Sequence, residues 1–170
     1  MNRQFIPTYF ANSIYEIDFN KVLNKGYKYL FLDLDNTLAS PDTFYPEKIT
    51  FDLISLLKEK GFNITILSNN DEERVKKFVC DLDVNYMFDV KKPSTKKVLE
   101  YINKNNFNKS EILVIGDQVM TDVVLSNRLN VDVILLEQLT KTDELITFVP
   151  RLFDKYFKKQ FKKKKMLKEL

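Results

Sequence analysis

Short apolar runs recur along this chain, and stretches with helical periodicity separate each run from the next. The runs are continuous rather than alternating, as expected for strands that are buried on both faces of a sheet. The predicted strands are Tyr29–Asp33, Asn63–Leu67, 84–88, 111–115 and 131–136. Strands of this kind alternating with amphipathic helices predict an α/β fold, a Rossmann-like three-layer arrangement with a parallel sheet between helices.

Helix signals fill the segments between the strands. Pro46 suits a helix start and Gly61 a helix stop, which predicts a helix at 46–60. Ser94 is expected to cap a later helix that ends near residue 103. The apolar positions of the first helix predict an inward face made of Leu53, Ile54, Leu56 and Leu57.

Composition narrows the chemistry that is open to the chain. Among its 170 residues there is no His, which removes Ser-His-Asp triads, Cys-His pairs and His-ligated zinc. The single Cys, Cys80, allows no internal disulfide and agrees with a reducing cytoplasm. The N-terminus lacks a signal-peptide pattern, and no apolar run approaches the roughly 20 residues that span a bilayer. We therefore expect a cytoplasmic protein whose catalysis rests on carboxylates, Lys, hydroxyls, backbone amides or a hard metal ion.

Charge divides the chain into a body and a tail. Residues 151–170 hold nine basic and two acidic side chains, whereas residues 1–150 hold 18 basic and 22 acidic ones. We expect three segments: an N-terminal extension at 1–26 that packs on the core, a main domain at 27–149, and a basic amphipathic helix or tail at 150–170.

The tail has a helical stripe of apolar residues, and three interpretations of it stay open. It packs on the body, it lies at an anionic membrane surface, or it contacts nucleic acid, which is the less favoured partner. The second interpretation would place the protein at the inner face of the membrane. The stripe is Leu152, Phe153, Tyr156, Phe157 and Phe161.

Polar side chains stand at or just beyond the ends of three predicted strands. They are Asp33, Ser68 and Asp117. In an open parallel sheet the carboxyl ends of the strands face one crevice, where ligands bind. Residues that are distant in sequence are therefore expected to converge there.

Asp33 and Asp35 carry the strongest chemical signal, because they lie two positions apart directly after a buried strand. Close carboxylates repel, and a divalent cation or a shared proton relieves the repulsion. The pair predicts a nucleophile and an acid–base group at a magnesium site. The alternative is a turn in which these carboxylates cap local amides.

Three further segments suit a phosphate ligand. The hydroxyl and amides of Ser68 and Asn69 could hold a phosphate oxygen, or could simply cap a helix. A Lys in 91–92 could neutralise phosphate charge, or could lie on the surface in solvent. Asp117 could reach a hard cation and Asp122 could support it, or this segment could be a loop with a helix cap.

Taken together, these segments resemble the phosphatases of the haloacid dehalogenase (HAD) superfamily. The motifs are FLDLDNTLAS, ILSNN, KKP and VIGDQVMTDV, and the resemblance covers roughly residues 27–136. With SIYEIDF near the N-terminus, they look more narrowly like the YqeG-type (HAD IIIA) subfamily, which is similar to phosphatidylglycerophosphate phosphatases. The family's Lys precedes Pro, which selects Lys92, with Lys91 and Lys96 as competitors.

The resemblance implies a role for each matching residue. Asp33 would attack phosphorus to form an aspartyl-phosphate, and Asp35 would serve as acid and base. Mg²⁺ would be held by Asp33, Asp117 and the main-chain carbonyl of Asp35. The phosphate-binding residues would be Ser68, Asn69 and Lys92, and the supporting residues Thr37 and Asp122.

The spacing between the motifs bears on the substrate. Asp33 and Ser68 are 35 positions apart and Ser68 and Lys92 are 24 apart, which the predicted helices and strands nearly fill. No room remains for the cap domain of many superfamily members, and an open site favours a large or lipid phosphate such as phosphatidylglycerophosphate. A phosphoacceptor signalling domain and a non-catalytic binding module with the same fold are the alternatives.

Overall fold

A parallel sheet forms the centre of the computed structural model, which describes residues 3–139 and 156–158. Its strands are β1 Tyr9–Ala11, β2 Tyr29–Asp33, β3 Asn63–Leu67, β4 Asn85–Met87, β5 Ile112–Gly116 and β6 Asp132–Leu136. Six strands lie in the order β1-β6-β5-β2-β3-β4, and every neighbouring pair is parallel. The strand that ends in Asp33 is therefore central, between β5 and β3.

Helices cover both faces of this sheet. They are α1 Phe19–Asn24, α2 Lys48–Glu59, α3 Glu72–Val79, α4 Lys96–Lys104 and α5 Val124–Leu129, and a π-helical turn, Val119–Val123, precedes α5. Leu30 and Leu32 of β2 belong to one core cluster, with residues of α1, α2 and α3. Phe31, between them, belongs to a second cluster with residues of α4 and α5. Successive residues of a strand point to opposite faces, so β2 is buried on both sides.

The predicted α/β, Rossmann-like three-layer fold is confirmed. The bounds of β2 and β3 agree with the sequence prediction, and β4, β5 and β6 differ from it by a residue at one or both ends. In the described part of the chain, the segments between β2 and β5 contain loops, α2, α3 and α4, with no inserted domain.

The N-terminal segment contributes a strand that the sequence pattern did not predict. β1 forms one edge of the sheet and pairs with β6, with Tyr9 opposite Ile134. Asp132 anchors the segment through its two carboxylate oxygens, which accept from the Thr8 hydroxyl and the Tyr27 hydroxyl, each at 2.8 Å. A strand of three residues is too short to show an apolar run, which explains why it was missed.

Two helix predictions were wrong in detail. Leu56 was expected on the inward face of α2, but it is 43% exposed, because the core side of the helix is filled by Leu53, Ile54 and Leu57. Ser94 was expected to cap the helix that follows it, but the N-cap position of α4 is Thr95. The Ser94 N–H donates instead to the Lys91 carbonyl at 2.8 Å, which places Ser94 in a turn before the helix.

Three residues of the predicted tail are described, and they are helical and in contact with the body. The Phe157 ring stacks on Phe5 with centroids 4.9 Å apart, and Lys158 Nζ donates to the Leu136 carbonyl at 2.6 Å. These contacts favour the packed interpretation for 156–158. The rest of the predicted helix at 150–170 lies outside the described residues. Among the helices that the structure describes, none combines the length and the apolar character needed to cross a bilayer.

Candidate active site

The site lies where the three central strands end. Asp33 is the last residue of β2, Ser68 follows β3, and Asp117 follows β5. Carboxylate oxygens of Asp33, Asp117 and Asp122 come within 4.8 Å of one another. The expected convergence at this edge of the sheet is therefore present in the structure.

Asp33 is held by a contact at each of its two carboxylate oxygens. The Thr37 hydroxyl donates to Oδ2 at 3.2 Å, and Lys92 Nζ forms an ion pair with Oδ1. The pKa of Asp33 is raised to about 7, mainly by burial and also by the charges of Asp122 and Asp35, against the opposing effect of Lys92. A second cation beside Asp33 would therefore favour the carboxylate form that a nucleophile requires.

Lys92 is the lysine that reaches the site. Its side chain is 3% exposed and contacts Asp122 Oδ1 at 2.7 Å in addition to Asp33. Burial alone would lower the pKa of Lys92, but the carboxylates of Asp122 and Asp33 outweigh that effect and raise it. Lys91 has a side chain that is 73% exposed, and Lys96 is exposed too. Of the three lysines that the sequence left open, Lys92 is the one that pairs with the buried carboxylates.

The segment after β3 positions Lys92 through its backbone. Asn69 Oδ1 accepts from the Lys92 N–H at 2.7 Å, and Asn69 Nδ2 donates to the Lys92 carbonyl at 3.3 Å. Ser68 is buried, and its hydroxyl accepts from the Asn70 N–H at 3.1 Å. The Asn69 side chain is therefore engaged with the lysine segment, so a phosphate contact from Asn69 would come from its main-chain N–H.

Asp122 occupies the π-helical turn that follows β5. Its Oδ2 accepts from the Gln118 N–H at 3.1 Å, while Oδ1 contacts Lys92. Helical turns of the π type are rare and occur frequently at functional sites, and this one holds Asp122 over the end of β5.

Gly116 makes room for Asp122. A Cβ atom at position 116 would lie 2.4 Å from both Cγ and Oδ2 of Asp122. Such an approach is far inside van der Waals contact, so any larger residue must displace the carboxylate. Glycine is required at position 116 because there is no space for a side chain. Its backbone conformation does not require glycine, since Gly116 is not among the glycines that have a positive φ.

Gly116→Ala is expected to lower turnover at this site by about tenfold or more, because the displaced Asp122 no longer supports Lys92. Initial rates per folded molecule, with folding checked by circular dichroism, would test this. Gly26→Ala is the control. A Cβ atom there would meet nothing within 4 Å, but the φ of +92° is unfavourable for alanine, so the variant is strained without a clash in the site. That variant should lose stability without losing turnover, and equal turnover losses in both variants would contradict the role of Gly116.

Asp35 is turned toward α3 and the loop before it. Asn70 Nδ2 donates to Asp35 Oδ2 at 2.6 Å, and Arg74 Nη2 donates to Oδ1 at 3.1 Å. Sequence reasoning missed both partners, because Asn70 suits a helix start and Arg74 suits an exposed helix face. No local signal pointed to these contacts, because they span 35 and 39 positions of the chain.

The donor set suits a hard divalent cation. Carboxylate oxygens are the preferred ligands of Mg²⁺, and Asp33, Asp117 and Asp122 supply them in one cluster. Both oxygens of Asp122 already accept from Lys92 and Gln118, which fits a supporting position better than direct metal ligation.

Comparison with known proteins agrees with this geometry. Residues 1–140 match the family model described as mitochondrial PGP phosphatase. The chain is 30% identical over 164 residues to "Probable phosphatase YqeG" of Bacillus subtilis, covering 96% of this chain and 95% of that protein. It is 27% identical over 155 residues to the chloroplastic/mitochondrial phosphatidylglycerophosphate phosphatase 1 of Arabidopsis thaliana, covering 84% of this chain and 44% of that protein.

Solved structures share the fold at low identity. An uncharacterized protein from Listeria monocytogenes has a TM-score of 0.52 at 18% identity, over 76% of this chain and 99% of that one. A probable YrbI family phosphatase from Pseudomonas syringae has a TM-score of 0.50 at 14% identity, over 70% of this chain and 82% of that one.

The carboxyl edge of this parallel sheet holds an aspartate pair, a buried lysine and a Gly-Asp segment. Together with the relatives, these features define a phosphatase of the HAD type, which is a phosphoric monoester hydrolase. Its substrate is accordingly a phosphate ester. The chain belongs to the mitochondrial PGP phosphatase family, in agreement with the resemblance that its motifs carry.

Proposed function

We propose that this protein is a Mg²⁺-dependent phosphomonoester hydrolase that works through an aspartyl-phosphate on Asp33. The observation that carries the proposal is the setting of this carboxylate. Asp33 ends the central strand, with Lys92 on one oxygen, Thr37 on the other, and Asp117 in the same carboxylate cluster.

The two chemical steps use Asp33 and Asp35. In the first step, an Asp33 oxygen attacks phosphorus and the bond to the leaving oxygen breaks, while Asp35 donates a proton to that oxygen. In the second, water attacks the phosphoryl group and Asp35 takes a proton from the water. The bond from phosphorus to Asp33 then breaks, which releases inorganic phosphate and restores both carboxyl groups.

Other residues bind the transferring phosphoryl group or support the site. We assign phosphate oxygens to the Ser68 hydroxyl, the Asn69 main-chain N–H and the Lys92 ammonium, because donors here would stabilise charge in the transition state. Thr37 and Asp122 support this arrangement by holding Asp33 and Lys92.

The residues that would hold Mg²⁺ are Asp33 and Asp117 through their carboxylates, and Asp35 through its main-chain carbonyl. Bound there, the ion would offset the negative charge that otherwise keeps a phosphate dianion away from a carboxylate nucleophile. With Lys92 it would also favour the ionised form of Asp33.

We propose phosphatidylglycerophosphate, or another large or lipid phosphate, as the substrate. One support is the absence of an inserted domain in the described segments between β2 and β5, which leaves the site open. The other is the similarity to the Arabidopsis protein, which is named as a phosphatidylglycerophosphate phosphatase. Within 150–170, residues other than the packed 156–158 would contact the anionic membrane surface from the cytoplasmic side, with nucleic acid the less favoured partner. A non-catalytic binding module is the alternative function.

Metal removal tests both parts of the proposal. Phosphate release from phosphatidylglycerophosphate in mixed micelles should fall by about a hundredfold or more in excess chelator, and should return with Mg²⁺. Soluble glycerol 3-phosphate is the matched substrate without acyl chains, and it should react more slowly. Faster release from the soluble ester would contradict the lipid substrate and keep the phosphatase. No release from either ester would favour the binding module.

A further inference from the structure

Asp35 is fixed by two donors that lie outside the motif in which it occurs. Its side chain is 28% exposed, so water could reach it, yet each carboxylate oxygen has its own protein donor. Arg74 and Asn70 approach it from α3 and the preceding loop, whereas Asp35 itself lies in the loop after β2. The carboxylate is thus held from a neighbouring element rather than by its own loop.

Arg74 is itself held in place. Its guanidinium carbon lies 5.2 Å from the centroid of the Phe44 ring and 5.6 Å from that of the Phe78 ring. Nη2 also faces the Pro41 carbonyl at 3.4 Å, and the side chain is 10% exposed. A planar guanidinium that contacts two rings has few orientations available, so it presents its donor to Asp35 in a defined direction.

Stability alone does not account for this arginine. Nη1 is buried and has no hydrogen-bond partner among the described residues. Burying a cation with an unsatisfied donor is unfavourable, and an apolar side chain of similar volume would fill the space beneath Phe44 without that penalty. The neighbouring pairs on α3, Lys76–Glu72 and Lys77–Glu73, lie in solvent, where ion pairs contribute little.

We propose that Arg74 is a positioning residue that, together with Asn70, sets the orientation in which Asp35 transfers protons. The inference rests on the proposed function, because it concerns the acid–base residue of that reaction. Proton transfer requires the acid within hydrogen-bond reach of the leaving oxygen, and a small misplacement of a reacting group lowers the rate steeply. Loss of Arg74 would leave Asp35 with one fixed oxygen and a wider range of side-chain orientations.

The dependence of the rate on the leaving group can separate a role of Arg74 in positioning Asp35 from a general role in supporting the structure. An alkyl phosphate needs a proton on its leaving oxygen, whereas 2,4-dinitrophenyl phosphate leaves as a stable anion and needs none. Arg74→Met should lower kcat/KM for glycerol 3-phosphate by about 10- to 100-fold, and should change kcat/KM for the dinitrophenyl ester by less than about threefold. The ratio kcat/KM is the right measure, since it reports the steps up to the first departure of the leaving group.

Two variants complete the experiment. Lys76→Gln removes one positive charge from the same helix at an exposed position, and should leave both esters unaffected. Arg74→Lys keeps the charge without the planar fork and should show a smaller selective loss. If thermal unfolding shows that Arg74→Met does not fold, Arg74→Lys alone is used to compare the two esters.

The possible outcomes are distinct. Selective loss on the alkyl ester, in either Arg74 variant, supports the positioning role. Equal losses on both esters in a folded variant, or no loss on either, would overturn it and leave the proposed function standing. A wild-type protein that hydrolyses neither of these esters nor phosphatidylglycerophosphate with Mg²⁺ would reject the proposed function, and the role of Arg74 with it.

Discussion

Asp33→Asn is expected to lower phosphate release by at least about a thousandfold while the protein remains folded. An amide cannot attack phosphorus in place of the carboxylate, and loss of a nucleophile is among the largest single-residue effects in enzymes. The fold should tolerate the change, because burial disfavours the charged form of this residue and Asn is neutral and of the same shape. Initial rates and circular dichroism would measure the two effects.

An acid quench gives a direct view of the intermediate. With a substrate labelled in the phosphoryl group, the wild-type protein should retain label and Asp33→Asn should not. Asp52→Asn is the control, since Asp52 is exposed on α2 and pairs with Lys48. Label that persists in the Asp33 variant would place the nucleophile elsewhere.

Lys92→Met is expected to reduce both turnover and stability, the latter by about 3–5 kcal/mol in the free energy of unfolding. The substitution removes the cation that lies between Asp33 and Asp122, and the Asp122 side chain is 2% exposed. A buried carboxylate that loses its partner keeps the full desolvation penalty, which is why the loss should exceed the value of the ion pairs themselves. Chemical denaturation in the presence of a chelator would measure it.

Two further variants make the stability result specific. Lys91→Met is one position away at a largely exposed side chain, and should change stability by no more than about 0.5 kcal/mol. Adding Asp122→Asn to Lys92→Met should recover part of the lost stability, since one of the unpaired anions is then neutral. If Lys92→Met unfolds at the same denaturant concentration as Lys91→Met, the buried ion pairs do not stabilise the protein as described.

The sheet could be predicted from the sequence because its strands carry their signal locally. Tyr29–Asp33 and Asn63–Leu67 are apolar runs with clear ends, and both agree with β2 and β3 in the structure. β1 could not be predicted in this way, because its three residues are placed by pairing with β6 and by the hydroxyl contacts to Asp132. Leu56 also shows what local patterns cannot predict. Periodicity alone assigned it to the inward face of α2, but in the structure it is exposed.

The motif residues of the site could also be predicted, because each follows a strand and strand ends converge. What the sequence could not supply was the identity of their partners. Lys92 was one of three lysines until its side chain was placed between two carboxylates. Arg74 resembled any charged residue of an amphipathic helix, because its contact with Asp35 spans 39 positions and depends on how α3 packs.

The ion pairs of Lys92 also bear on the stage of folding at which the site is assembled. They join Lys92 to Asp33, 59 positions earlier, and to Asp122, 30 positions later. Contacts of such long range form late in folding, after the intervening loops have closed. A growing chain that has completed only β2 and β3 therefore carries Asp33, the proposed nucleophile, without Lys92 beside it. Asp122 is the last member of the ion-pair network, and it joins only once β5 and the turn after it have formed. The network is therefore complete before β6 is added to the sheet.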